Sequence, residues 1–287
     1  MSAVDTVVIA VRALSFVAAI QAAGVTLFLW LFGDELRSSA RPIATAARRA
    51  ALIGLFATAA YQLLEPARLA GSLSGIVDGP LQAVLLASSV GTATAVRLFG
   101  LALTAIGALK LSRSGAAMAL IGSALIAGSF AFTGHTATDD QRWLLAPLLL
   151  VHILIVAFWF GALRSLLFAG RHEDLAVNAR IIERFSKLAV LVVPLILVAG
   201  FALAFVLLPS LAALGTPYGQ LLIVKVAGFA VLMGLAALNK WQLGPRIGAG
   251  SVAALGSLRR CVVVEWWLIA GVLIATAAMT GMFSPDH

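Results

Sequence analysis

The chain is short of charge. Asp, Glu, Lys and Arg make up only 11% of its 287 residues, under half the share that a soluble domain carries, which excludes a water-solvated fold. Cysteine is nearly missing too: Cys261 stands alone, so there is no intramolecular disulfide and no Cys-x-x-Cys metal or redox motif. There is no His-Glu-x-x-His, no Walker loop, no serine-nucleophile motif and no acidic ladder suited to a hard cation. The sequence reads as a carrier rather than an enzyme. No 20–50 residue repeat and no soluble appendage is visible, so one integral membrane domain over residues 1–287 is expected.

What fills the chain is apolar, 62% of it. Apolar runs bounded by charge clusters predict an all-α, polytopic membrane bundle of eight transmembrane helices. They lie at residues 4–32, 46–64, 93–111, 116–132, 143–168, 185–208, 218–239 and 261–282, each close to the length a hydrocarbon core requires. Residues 66–92, "PARLAGSLSGIVDGPLQAVLLASSVGT", are rich in Gly, Ser and Pro. Their apolar part, 81–87, is too short to span, so an interfacial or re-entrant segment is expected between the second and third helices.

A net charge of +8 does not indicate nucleic acid in such a chain, because basic residues gather in cytoplasmic loops. Fifteen of the twenty Lys and Arg follow the first, third, fifth and seventh helices: Arg37, Arg41, Arg48 and Arg49; Lys110 and Arg113; Arg164, Arg171, Arg180, Arg184 and Lys187; Lys240, Arg246, Arg259 and Arg260. This bias predicts that both termini face away from the cytoplasm. The uncharged loop "PSLAALGTPYG" between the sixth and seventh helices agrees. Asp5 and Arg12 interrupt the start of the chain and no basic leader precedes them, so the first helix is expected to be retained.

Ionisable residues inside spanning helices are costly and usually face the bundle interior. Here they are Arg12, Arg97, His152, Lys225 and Glu265. His152 falls about 13 Å and Lys225 about 10 Å below the outer ends of their helices. Lys225 is expected to face inward with a carboxylate or a ligand in reach. Arg12 and Arg97 are shallower and expected to snorkel to the outer interface; Glu265 is expected to pair with a basic residue of the inner loops. Arg12, Ser15, Ala19, Ala22 and Thr26 form one small-and-polar stripe, and Arg97, Gly100, Thr104 and Gly107 form another, both suited to close helix packing. Trp143, Trp159, Trp241, Trp266 and Trp267 read as interfacial anchors.

Groups that can bind a metal gather toward the outer half: His135, His152, Met279, Met282 and His287. Imidazole and thioether suit copper, Cu(I) above all, and Met279 and Met282 stand one turn apart. A lone histidine can equally serve a helix–helix hydrogen bond, and methionine can be core filler.

The order of sequence phrases adds to this. "RALSFVAAIQAAG" (12–24), "TGHTA" (133–137), "VHILIVAFWFGAL" (151–163), "RFSKLAVLVVPLILVAG" (184–200), "GTPYGQLLIVKVAGFAVLMGLAALNK" (215–240) and "LRRCVVVEWWLIAGVLIATAAM" (258–279) together resemble the copper resistance protein D (CopD) family of bacterial inner-membrane proteins. The resemblance implies copper transport or handling across that membrane, often beside a periplasmic copper-binding protein. It puts weight on His135, His152, Lys225 and Glu265. Such proteins often carry a histidine where this chain has Ser15, so the site here is incomplete or borrows Met279, Met282 or His287. The expected metal ligands are thus His135, His152, Met279 and Met282, supported by Arg97, Lys225, Glu265 and Trp159, in a bundle that can be oligomeric. Trp159 is expected to close the cavity floor beneath His152.

The cations Arg12, Arg97 and Lys225 would repel copper in the outer half. Either carboxylates of that face (Asp5, Glu65, Asp78, Asp139, Asp140) pair with them, or desolvation leaves Lys225 neutral, or the site takes an anion-bearing ligand. The last option opens a rival reading: a b-type haem with His135 and His152 as axial ligands and Arg97 and Lys225 at its propionates. A non-transporting assembly scaffold is the third.

Overall fold

A computed structural model describes residues 3–134, 140–208 and 210–282, the side chains of Leu207, Leu211 and Met282 excepted. Its helices are α1 (Ala3–Phe32), α2 (Ala40–Ala70), α3 (Gly79–Ala87), α4 (Ser89–Gly107), α5 (Arg113–Ser129), α6 (Arg142–His172), α7 (Leu175–Leu207), α8 (Pro217–Leu238), α9 (Gly244–Gly248) and α10 (Val252–Met282). No strand occurs among the described residues. Eight spans are long and apolar enough to cross a membrane. Five of these are single helices, α1 and α5 each run on into a 3-10 turn (Gly33–Glu35 and Phe130–Phe132), and one is α8 continued into α9 through a π-helical turn at Asn239–Leu243.

Helix starts follow local chemistry. Asp78, Ser88, Ser112, Asp174, Thr216 and Ser251 each accept a bond from a backbone N–H in the turn that follows, satisfying donors that a helix start leaves free. Pro80 and Pro217 sit in first turns, where a missing N–H costs nothing. Gly71 ends α2 at φ 68°, a left-handed conformation that glycine adopts without strain. The segment after it turns through a 3-10 helix into α3. Nine residues long, with no residue buried, α3 is too short to cross and matches the interfacial segment expected there.

Three helices begin well before the apolar runs do: α2 at Ala40 instead of 46, α7 at Leu175 instead of 185, and α10 at Val252 instead of 261. The added turns are amphipathic. In α7, Val177 and Ile181 are buried while Arg180 and Glu183 face outward. A helix does not stop where lipid stops; it stops where a cap or a break is encoded.

The centre of the packing is α1, which lies against α2, α4, α5, α6 and α10. Ser15, Ala19, Ala22 and Thr26 are all buried, so the predicted stripe does meet other helices. α4 and α5 approach through Gly100, Gly107, Gly115 and Gly122. The closest crossing is between α1 and α6, where a Cβ on Gly24 would stand 1.7 Å from the Ala157 carbonyl oxygen and one on Gly161 2.0 Å from the Gly24 carbonyl carbon. Backbone meets backbone there, as glycine at a membrane helix interface allows. By contrast, only 6% of the most apolar window of α7, and 6% of that of the α8 span, is buried against protein, compared with half in α2 and α4. α7 leans on α6, and α8 on α10.

The two ends of the bundle differ. At one, the basic-loop end, Glu173 accepts bonds from Ser38 N (2.8 Å), Ser39 N (2.8 Å) and Ser39 Oγ (2.6 Å). Arg184 pairs with Glu35 there at 2.6 Å. At the other, the terminal end, the start of α1 meets the end of α10.

Candidate functional site

Three polar clusters interrupt the apolar bundle. The first is a cavity of about 190 Å³ at the terminal end. Alternating helix directions bring the starts of α1 and α4 together with the ends of α2 and α10. Its lining includes Arg12, Tyr61, Glu65, Arg68, Thr94 and Arg97, and reaches Gly134 and Thr280. Arg12 donates to the Thr280 carbonyl (3.2 Å) and hydroxyl (3.0 Å) and to the Tyr61 hydroxyl (3.4 Å). Arg97 is 6% exposed. Its Nε donates to Ser129 Oγ at 2.9 Å and its guanidinium lies 4.2 Å from the Phe130 ring centre. Arg97 therefore does not snorkel outward as expected. Ser129 and the aromatic face hold it inside, where a cation over a ring is partly compensated. Arg68 donates through Nε to both oxygens of Glu65 at 3.1 Å, so one of the anticipated carboxylates does pair with a cation of this face, though with Arg68 rather than Arg12 or Arg97.

The second cluster holds His152 and Lys225. The His152 ring lies against α7, where a methyl on Gly200 would sit 3.6 Å from Cε1. It approaches the Ile196 backbone, yet Nδ1 is buried with no partner in hydrogen-bond geometry. Lys225 is close enough for its charge to act on His152. Lys225 makes no ion pair with a carboxylate among the described residues.

The third cluster lies deeper. Glu265, 2% exposed, accepts a short hydrogen bond from Asn239 Nδ2 in the π-helical turn. This replaces the expected pairing with a basic loop residue: the π turn swings Asn239 inward, nearer than any loop cation. Trp159 interacts with the same carboxylate, with Nε1 short of full hydrogen-bond geometry. At 5% exposed, Trp159 is no interfacial anchor; nor is Trp266, whose Nε1 donates to Gln21 Oε1 at 2.6 Å. Trp143, Trp241 and Trp267 are exposed, as anchors are.

The anticipated metal ligands are only partly in view. His135 and His287 lie outside the described residues; Met282 ends α10 with its side chain outside them. Met279 is buried, 4% exposed. Stacking of Phe160 on Trp266 at 5.3 Å sets the register of α6 against α10. At 1.5 Å per residue, Met279 then stands about 8 Å nearer the terminal end than His152. No group of three or more His, Cys, Asp or Glu assembles among the described residues. Ser15 is fully buried and donates to the Arg12 carbonyl at 2.8 Å. Nothing in the sequence marks Tyr61 or Asn239 as members of a polar cluster; Gln21, polar in the middle of an apolar run, is the one signal available.

Two family profiles match the chain: Copper resistance protein D over residues 179–279, and Copper resistance protein D-like, N-terminal domain, over residues 1–141. The chain is similar to Copper resistance protein D of Pseudomonas syringae pv. tomato, 27% identical across 98% of both chains. It is also 27% identical to Copper transport protein CutJ of Bacillus subtilis over 55% of its own length and 29% of that protein's. No solved structure matches.

Proposed function

The chain belongs to the copper resistance protein D family, and from that premise we propose that it carries copper across the bacterial inner membrane through an intramembrane site open to the periplasm. The observation that carries this reading is the His152 imidazole: half-buried in an apolar span, with Nδ1 buried and unpartnered. An imidazole held away from water suits a soft, weakly hydrated ion such as Cu(I), which would take whichever ring nitrogen carries no proton. Met279 offers a thioether in the same half, on a helix packed against that of His152. Met282 and His135 extend the path toward the surface, with His135 as a gate. Relatives named for copper resistance and copper transport support the same cargo.

The positive-inside rule puts the terminal end, and so the mouth of the path, on the periplasmic side. A periplasmic copper-binding protein is the natural donor or acceptor there. Lys225 would keep the site shallow: its charge raises the energy of a bound cation, and a carrier needs binding weak enough to release. Glu265 and Asn239 would form the inner polar station beneath Trp159.

The test is His152→Ala. Cu(I) bound per purified protein and copper content of expressing cells should both change by several-fold, with the helical spectrum intact. If both stay at wild-type levels in a folded protein, His152 is structural and the site assignment fails.

A further inference from the structure

We propose that the cavity at the terminal end is a binding site for an oxyanion, a phosphate or carboxylate group, a ligand distinct from the copper cargo. Its volume of about 190 Å³ is far above the 10–15 Å³ or so that admits one water. Among the described residues lining it are three guanidinium groups, of Arg12, Arg68 and Arg97, and one carboxylate, Glu65. Glu65 is already engaged by Arg68, and Asp5 also acts on Arg68. Arg12 and Arg97 have no carboxylate partner among the described residues. Both stand close to one ring, at 5.5 Å and 5.4 Å from the Phe16 centre. Two cations this close inside a membrane-spanning bundle repel one another and are poorly solvated.

The arrangement is also built in advance of a ligand. Ser129 fixes Arg97 through Nε, which leaves its terminal nitrogens for the cavity that Arg97 lines. Arg12 is held through its terminal nitrogens instead, Nη1 on the Tyr61 hydroxyl and Nη2 on Thr280, while its Nε is buried without a partner. Guanidinium forks pre-set by neighbours lose little freedom on binding and match the paired oxygens of phosphate or carboxylate. Thr94 adds a hydroxyl.

The shared chemistry has two sources, a soluble anion or a lipid headgroup, and the experiment separates them. Purified protein is placed in nanodiscs of phosphatidylcholine and titrated with inorganic phosphate at constant ionic strength, without copper, following heat of binding and melting temperature. A parallel sample uses phosphatidylglycerol nanodiscs. Saturable binding of phosphate in the first identifies a soluble ligand; stabilisation confined to the second identifies the headgroup. Either way Arg97→Gln should weaken the effect about ten-fold or more, since it removes charge-assisted bonds. Glu65→Gln should tighten it by several-fold by removing the only carboxylate among the described lining residues, a gain that misfolding cannot mimic. No saturable effect from either source, an effect that survives Arg12→Gln and Arg97→Gln combined, or unchanged binding in Glu65→Gln would overturn the proposal. Because copper is absent from the assay, such a failure leaves the copper reading where it stood.

Discussion

Glu173 shows how much one side chain can hold. It lies at the end of α6, yet its carboxylate closes the start of α2, binding two amides and a hydroxyl at Ser38 and Ser39. Burial tends to raise its pKa, but the Ser39 hydroxyl and the amides of Ser39, Ser38 and Arg37 more than reverse that and hold it below its ordinary 4.5. A depressed carboxyl pKa means that the unfolded chain binds protons first as pH falls. The stabilisation is therefore full above about pH 4.5 and is lost as pH drops through the lower folded value. Glu173→Gln should lower the melting temperature at neutral pH by about 2–4 °C and flatten the loss on acidification. Parallel melting curves from pH 6 to 3 check this, and equal pH slopes in the two proteins would sink it. Nothing in the sequence sets Glu173 apart from the other charges that follow the fifth span. Arg97, His152, Lys225 and Glu265 were legible as costly polar positions, because cost depends on the residue and its surroundings in the chain. Their partners were not. Ser129 for Arg97 and Asn239 for Glu265 depend on the rotation of neighbouring helices, and for Glu265 on a π turn that no hydropathy pattern encodes.

At the scale of the helix, hydropathy read the number of spans correctly and cut several of their starts short. The eight apolar runs mark where lipid lies, and the charged turns at the starts of α2, α7 and α10 fall outside it while staying helical. Small-residue stripes on the first and third spans were legible too, since 3–4 spacing fixes a face. The identity of the helix facing each stripe was not, and the tightest crossing depends on it. Gly24 and Gly161 leave no room for a methyl group. Gly24→Ala should therefore cost about 3 kcal/mol or more, at the upper end of overpacking, and reduce the monodisperse folded fraction recovered. Gly33→Ala is the control, since nothing lies within 4 Å of a Cβ there. Size-exclusion profiles and thermal melts compare them; equal behaviour would mean that α1 and α6 do not cross as described.

For the whole molecule, eight crossings would put both chain ends on one side, and by the positive-inside rule the distribution of Lys and Arg makes the periplasm the side expected. An alkaline phosphatase reporter fused after His287 should be active, and a green fluorescent reporter at the same point dark. The reverse pattern would mean a crossing was miscounted, with α3 the first suspect. The bundle is also unequal across its width. α7 and α8 bury little of themselves against protein, and Phe205 is 88% exposed and Phe201 65%. In hydrocarbon such rings cost nothing to leave uncovered. His152 and Lys225 belong to this thin side, where Gly200 and the Ile196 backbone of α7 stand against the imidazole. A single helix then separates that ring from annular lipid. Exchanging it for a detergent micelle would alter the dielectric around both groups, and the spacing of α7 and α8, before it disturbed a single contact around α1.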